Sequence, residues 1–223
     1  MFTLNALPAA LEARLVDKLL HAEPATIGHF RNWGFMDPAI RAMQSDVRIA
    51  GPAVTVRAPG MDGTIVGYAL GQVRRGDVLV IDRCGDHRHA AFGGLVAYAC
   101  KVAGVAGVII DGMATDIGEV RKYAVPLWCR GLSAVTTKRI GVAGEFCVPV
   151  SCGGVDVKSG DVIIADECGI VALDPKEAEA AAERAIGMQD AEVKSRARLD
   201  AGEKLPDISG ATKMLQEALA KQK

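Results

Sequence analysis

Residues 104–119, GVAGVIIDGMATDIGE, decide the fold class of this chain. The apolar run 105–110 predicts a buried strand, which stops at Asp111 and Gly112. A few residues later, Asp116 opens a polar segment with the composition of a helix. A strand, a glycine turn and an acidic residue at a helix start are how α/β proteins build a site at the carboxyl edge of a sheet. The stretch therefore predicts an α/β fold and a functional site at this turn.

The rest of the chain alternates between strand and helix patterns, which predicts α/β architecture with a mixed, layered sheet. Apolar runs between Gly and Asp turns predict strands at 53–57, 78–82, 106–110, 126–129, 147–150, 162–166 and 169–173. Helical patterns cover 7–22, 24–34, 64–73, 90–103, 116–123 and 175–199. We predict a single domain over 1–223, with a helical N-terminal part to about residue 45.

Composition and charge exclude several classes of protein. Of the 223 residues, 50% are hydrophobic and 4% aromatic, which predicts a core of small aliphatic side chains. A formal net charge of −1 leaves no electrostatic footprint for nucleic acid, so direct binding of RNA or DNA is not expected. Neither a signal peptide nor an apolar run of membrane-spanning length is found, so no membrane partner is expected. Six scattered cysteines without a C-x-x-C pair indicate reduced thiols in a cytoplasmic protein.

Two features near the central stretch have both a structural and a functional interpretation. Asp116 stands three residues before Glu119, the spacing of a capping box, so it is interpreted first as the cap of the helix at 116–123. Gly93, Gly94 and Leu95 open a small-residue helix, where free backbone amides form an anion site. Glycine that permits close helix packing is the alternative interpretation of the same pair.

The run FGGLVAYACKVAGVAGVIIDGMATD (92–116) resembles the core signature of the RraA-like family. Further segments that resemble the family, in the same order, are GPAVTVRAP (51–59), RRGDVLVIDRCG (74–85), YAVPLWCRGLS (123–133) and GDVIIADECGIVALDP (160–175). The family includes divalent-metal pyruvate aldolases, such as 4-hydroxy-4-methyl-2-oxoglutarate aldolase, and proteins that inhibit ribonuclease E. Its members are often labelled dimethylmenaquinone methyltransferases. The resemblance implies a layered β/β/α, swivelling-domain-like fold.

The resemblance also implies site residues, a cofactor and an assembly. In the aldolases, the aspartate matching Asp116 anchors Mg²⁺ or Mn²⁺, and the amides of Gly93–Leu95 hold the carboxylate of a small 2-oxo acid. Glu192 matches a glutamate that a neighbouring subunit donates towards the metal. The family forms a trimeric ring, sometimes doubled to a hexamer, and the long C-terminal helix at 175–199 is expected to pack on a neighbouring subunit.

Two positions depart from the aldolase pattern. The aldolases have an acidic residue where Gly94 stands and an arginine where Thr115 stands. The arginine binds the pyruvyl group and stabilises the developing enolate, and loss of one such donor typically costs about 2.7–4 kcal/mol in the transition state. Two alternatives follow: Thr115 has a different role in catalysis, or the chain has lost the aldolase reaction.

The loop DRCGDHRHAAF (82–92) contains candidate replacements directly before the glycine pair. Arg83 or Arg88 is expected to restore the positive charge, and Asp86 or His87 to act as a base or ligand. A solvated, charged loop is the alternative interpretation.

The leading hypothesis is a divalent-metal-dependent carbon–carbon lyase, an aldolase or decarboxylase, which acts on a small 2-oxo acid through a pyruvate enolate. The alternatives are a non-catalytic regulator that binds a ribonuclease by protein–protein contact, and a pseudoenzyme scaffold. The chain lacks the P-loop, the dinucleotide G-x-G-x-x-G and the G-x-S-x-G motif, so those nucleotide and hydrolase chemistries are not implied.

Overall fold

The computed structural model describes residues 1–222 and has an α/β fold built on one large mixed sheet. The strands are β1 (Phe2–Leu4), β2 (Arg41–Ala42), β3 (Ile49–Arg57), β4 (Val78–Asp82), β5 (Ala90–Phe92), β6 (Gly107–Ala114), β7 (Leu127–Leu132), β8 (Gly144–Phe146), β9 (Val150–Cys152), β10 (Val155–Val157), β11 (Val162–Ala165) and β12 (Ile170–Leu173). The helices are α1 (Ala13–His21), α2 (Pro24–Gly28), α3 (Thr64–Leu70), α4 (Gly94–Ala103), α5 (Ile117–Tyr123), α6 (Pro175–Asp200), α7 (Leu205–Ile208) and α8 (Ala211–Ala220).

Four parallel strands, β3, β4, β6 and β7, form the centre of the sheet, whose order is β1-β8-β3-β4-β6-β7-β2. Their sequences are continuous apolar runs because both faces are covered, as is usual for parallel strands. Antiparallel β11 pairs with β3 and β12, and β5 joins β6 in parallel. The predicted α/β class with a mixed, layered sheet is confirmed.

The core lies in three layers around this sheet. Leu79 and Ile81 of β4 face α3, α4 and α5, whereas Val78 and Val80 face β9 and β10. A third cluster packs α1, α2 and the first half of α6 against β11 and β12. In α/β proteins with a sheet covered on both faces, binding sites lie beyond the carboxyl ends of the parallel strands.

Several predicted element boundaries are wrong. The helix predicted at 7–22 begins at Ala13, and the one predicted at 24–34 ends at Gly28. Residues 2–4 form β1, which pairs with β8, so the N-terminal part is not wholly helical. Residues 90–92 form β5 rather than the start of a helix, because they pair with β6. Of the strand predicted at 147–150, only Val150 belongs to a strand, β9, because Cys147, directly after β8, has a left-handed φ of 54° that is incompatible with a strand.

The C-terminal helix is confirmed as α6. Asp174 caps it by accepting a hydrogen bond from the Lys176 amide at 2.8 Å, and Pro175 occupies its first turn. Only alanines in its first half are buried, so its second half projects from the fold. Within residues 1–222, no helix is both long enough and apolar enough to cross a membrane.

Candidate functional site

The glycine pair forms a sharp turn between β5 and α4. Gly93 is extended, with φ −151° and ψ −168°, and α4 begins at Gly94. The first amides of this ten-residue helix have no intrahelical partner, so they favour negative charge. The turn is therefore a place where a carboxylate can be bound.

Asp116 supplies such a carboxylate from within the chain. Its backbone is left-handed, with φ 52°, and its side chain makes no capping bond to its own helix α5. Instead, Oδ2 accepts a hydrogen bond from the Gly94 amide at 3.0 Å. Thr115 Oγ1 donates to Asp116 Oδ1 at 3.3 Å. The capping-box interpretation is therefore wrong, since Asp116 caps the start of α4 and not the start of α5.

Both glycines lie in close contact with the beginning of α5. A Cβ at Gly93 would lie 2.7 Å from Asp116 Oδ2 and 2.9 Å from Thr115 Cγ2. A Cβ at Gly94 would overlap Glu119 Oε2 and lie 2.7 Å from Glu119 Cδ. The packing interpretation of the glycine pair is thus supported, and it brings two carboxylates to the start of α4.

A cavity of about 620 Å³ opens beside this turn. Gly93, Gly94, Leu95, Thr115 and Asp116 line it, and Leu95 is 73% exposed. Apolar wall is supplied by residues of α3, α4 and β5, including Val66, Leu70, Phe92 and Tyr98. The combination of an apolar wall with a few converging polar groups is typical of a small-molecule site.

Lys138 and Arg139 also line the cavity, and sequence reasoning missed both. Their segment is held by backbone bonds: Lys138 N donates to Met61 O at 2.8 Å, and Gly63 N donates to Lys138 O at 2.8 Å.

Asp62 fixes the residues that follow this segment by accepting hydrogen bonds from the amides of Ile140 and Val142, at 3.2 and 2.7 Å. Burial raises the pKa of Asp62, but hydrogen bonds from the Thr64 hydroxyl and from these amides outweigh it and lower the pKa. The one local signal was the adjacent Lys-Arg pair. We call Asp116, Lys138 and Arg139, which line the cavity, together with Glu119, which packs against Gly94 of the lining, the cavity group.

The predicted replacements in loop 82–92 lie elsewhere, beginning with Arg83. Its side chain is fully buried and donates to the carbonyl oxygens of Ala58 and Gly60, and to Asp86 Oδ2 at 3.3 Å. Burial lowers the pKa of its guanidinium. Its Nε has no hydrogen-bond partner. The expectation that Arg83 restores charge at the site is wrong, because the residue anchors the 58–60 turn.

Asp86 is engaged within its own loop. Its Oδ2 lies 2.7 Å from His89 Nδ1, and its Oδ1 accepts bonds from the amides of Arg88 and His89 at 2.8 and 3.0 Å. Burial raises the pKa of this carboxyl, but the hydrogen bonds dominate and lower it to about 2. Asp86 is therefore engaged in the structure of its own loop and does not line the cavity, and its expected role as a base or ligand stays a prediction.

The remaining predicted residues also lie outside the cavity lining. His87 is about half exposed, with Nε2 4.0 Å from Asp111 Oδ1. Arg88 is exposed, and its carbonyl accepts a bond from Ser133 Oγ at 2.7 Å. Glu192 lies on the exposed half of α6 and pairs with Arg196 at 2.8 Å. A contribution of Glu192 to a neighbouring subunit stays a prediction.

A second charged group follows the carboxyl ends of the central strands. We call Arg57, Asp82, Asp111 and Arg130 the edge row, since they end β3, β4, β6 and β7 or lie near those ends. Asp111 accepts a bond from Arg130 Nε and another from Gly153 N at 2.7 Å. Asp82 Oδ2 lies 3.6 Å from Arg57 Nε, and Asp82 Oδ1 accepts a hydrogen bond from Cys84 N at 2.6 Å. The edge row is satisfied internally and fastens neighbouring loops to the sheet.

A divalent cation would find few protein ligands in this chain. Among residues 1–222, no three His, Cys, Asp or Glu side chains converge on one point. A hard cation that keeps water ligands needs only one or two carboxylates. Asp116 supplies one in the cavity lining, so a site of that kind fits.

Comparisons with known proteins agree with the fold. A family model described as "RraA-like: Aldolase/RraA" matches residues 13–172. The chain is 34% identical over 162 residues to a protein of Halalkalibacterium halodurans named "Putative 4-hydroxy-4-methyl-2-oxoglutarate aldolase". That alignment covers 72% of this chain and 77% of the relative.

Two solved structures are similar over most of the chain. Streptomyces coelicolor RraAS2, described as an unusual member of the RNase ES inhibitor RraA protein family, matches with a TM-score of 0.76 and 27% identity. The match covers 85% of this chain and 98% of RraAS2. An uncharacterised protein of Pseudomonas syringae matches with a TM-score of 0.80 over 93% of this chain and 99% of its own, at 23% identity, and supports the fold alone.

Proposed function

The chain belongs to the RraA-like family, and we propose that it is a divalent-metal-dependent carbon–carbon lyase acting on a small 2-oxo acid. The observation that carries the proposal is the cavity in which the start of α4, Asp116 and two cationic side chains converge. The similarity to a relative named as an aldolase supports the same reaction class. Aldol cleavage and decarboxylation are both included, because each releases pyruvate through the same enolate.

The protein groups have separate tasks in this proposal. The free amides at the start of α4 bind the carboxylate of the 2-oxo acid. When the bond between C3 and C4 breaks in aldol cleavage, the 4-hydroxyl group gives its proton to water and becomes a carbonyl, and the electron pair of the bond passes into the 2-oxo group as an enolate. Lys138 and Arg139 stabilise this negative charge from the other wall, in place of the arginine that Thr115 replaces. Water then protonates C3 of the enolate to give pyruvate.

Mg²⁺ or Mn²⁺ is the cofactor that the donor set fits. Asp116 would hold it, because carboxylate oxygen is the ligand that these hard cations prefer and its Oδ1 has only a 3.3 Å contact with Thr115. Gly93 leaves the space beside this carboxylate free of a side chain. The bound cation would supply Lewis acidity towards the 2-oxo group.

The experiment is pyruvate release from 4-hydroxy-4-methyl-2-oxoglutarate and from oxaloacetate, with Mg²⁺ or Mn²⁺ and then with EDTA. We expect metal-dependent release by the native chain. Release that EDTA leaves unchanged would remove the metal from the proposal. Absence of release from both substrates would remove the reaction.

A ribonuclease-binding regulator is the second candidate, and the similarity to RraAS2 is the observation that favours it. Such a protein would form its complex by surface contact, independently of a divalent metal. Complex formation with a ribonuclease in EDTA, together with absence of pyruvate release, would favour the regulator over the lyase.

We also propose one domain that assembles as a trimer or hexamer. Support comes from apolar side chains left exposed on α4 and α8, among them Tyr98, Val102, Met214 and Leu215. The assembly would be contradicted if light scattering at micromolar concentration gave the molar mass of a single monomer.

A further inference from the structure

Gly94 is a glycine for reasons of space and not of backbone conformation. It is the first residue of α4 and its φ lies outside the left-handed range, so any residue can adopt its backbone. The space where its side chain would lie is filled by Glu119 of α5. A Cβ there would overlap Glu119 Oε2, with Glu119 Cδ at 2.7 Å and Glu119 Cβ at 3.2 Å. The carboxylate of Glu119 thus takes the place of a side chain at position 94.

The carboxylates of Asp116 and Glu119 therefore both contact Gly94. Asp116 Oδ2 accepts the Gly94 amide at 3.0 Å, while Glu119 Oε2 lies against the Gly94 Cα. Neither carboxylate belongs to an ion pair within residues 1–222. Two neighbouring carboxylates repel each other unless positive charge lies close by. The start of α4 supplies part of that charge, and the proposed cation would supply the rest.

We propose that Glu119 supplies the second carboxylate of the cation site, delivered from α5 into the space that Gly94 leaves open. The proposal rests on the proposed function, since it concerns the same site. It explains why the acid that the family resemblance leads one to expect at position 94 is absent: its carboxylate comes from position 119 instead. Gly94 and Glu119 then form an interdependent pair, and a change at either position should act through the other.

The test is a titration of purified variants with Mn²⁺, followed by electron paramagnetic resonance, with pyruvate release measured in parallel. Glu119→Ala removes the carboxylate, and Gly94→Ala displaces it because the new Cβ takes its place. We expect either variant to bind Mn²⁺ roughly 10–100-fold more weakly, the scale seen when a residue supporting a metal is lost. Gly94→Asp combined with Glu119→Ala returns a carboxylate from the other side and should restore most of the affinity.

Gly118→Ala is the matched control, because it lies in the same helix and a Cβ there meets nothing within 4 Å. It should bind Mn²⁺ like the native chain. If the native chain binds Mn²⁺ and Glu119→Ala binds it equally well, the role of Glu119 is overturned while the proposed function stands. If the native chain neither binds Mn²⁺ nor releases pyruvate, the proposed function fails and this role with it. Thermal unfolding of each variant separates these outcomes from misfolding, and the two single variants decide the matter if the double variant does not fold.

Discussion

The edge row and the cavity group are adjacent in the chain, since Asp111 and Asp116 lie on the same strand and its turn, yet they differ in how their charges are paired. In the edge row, each carboxylate has an arginine and a backbone amide as partners. In the cavity group, the carboxylates meet at the start of α4, and the cations lie on another segment of the cavity lining. Paired charges at strand ends hold loops in place, whereas charges left unpaired beside a cavity are available to a ligand.

The largest expected effect is on stability, at Asp111. Asp111→Ala removes the bonds to Arg130 and to the Gly153 amide and leaves a half-buried arginine with Asp37 as its remaining carboxylate. We expect the free energy of unfolding to fall by about 3 kcal/mol. Urea unfolding measures it, with exposed Glu167→Ala as the control, which should change by less than about 0.5 kcal/mol. A loss as small as the control's would show that the edge row does not hold the loops.

Asp116 should show the opposite behaviour, a loss of activity with little loss of stability. Asp116→Asn is the suitable change, because asparagine tolerates the left-handed φ of 52°. We expect kcat/KM for pyruvate release to fall roughly 10²–10³-fold, the scale of losing one electrostatic group of an active site. The free energy of unfolding should change by only about 1 kcal/mol, as for a weakened helix cap. A variant that keeps full activity would place Asp116 with the edge row as a structural residue.

The fold was largely predictable from the sequence because the central strands are buried on both faces. Continuous apolar runs such as 78–82 are therefore visible without tertiary information. The short strands β1 and β2 were not predictable, since they lie at the sheet ends and are only three and two residues long. Cys147 follows β8 with a left-handed backbone that its residue type does not suggest.

The site was predictable only in part. The glycine pair and Asp116 were found because a turn, a helix start and an acidic residue occur close together in the sequence. Arg83 was chosen for its nearness in sequence, but its side chain is directed into the fold and anchors the 58–60 turn. Lys138 was missed because an isolated bridge to Asp62 brings its segment to the cavity, and such a contact leaves no local pattern.

Asp86 extends the comparison to pH, since it is a paired carboxylate outside the edge row. Its folded pKa of about 2 lies below the ordinary value of 3.8. The stability it contributes is therefore present above pH 3.8 and is lost as the pH falls towards 2. We expect a loss of about 2 kcal/mol over this window, and a smaller loss in Asp86→Asn. Urea midpoints measured from pH 5 downwards test this, and equal slopes in both proteins would contradict it.

The smallest expected effect is at Lys138. Its substitution tests whether a positive charge matters because it lies in the cavity or because it adds to the charge of the protein surface. Its backbone is fixed by bonds to Met61 and Gly63, so Lys138→Gln changes the side chain and leaves the segment in place. We expect kcat/KM for 4-hydroxy-4-methyl-2-oxoglutarate to fall about tenfold, equivalent to about 1.4 kcal/mol, because the lost charge stabilises the developing enolate. Because Lys138 is exposed, added salt should reduce the difference from the native chain. Lys158→Gln changes an exposed lysine outside the cavity lining and should leave kcat/KM unchanged at every salt concentration. If both lysines gave the same small change, the contribution would come from the overall charge of the protein, and the cation that faces the substrate would have to be Arg139.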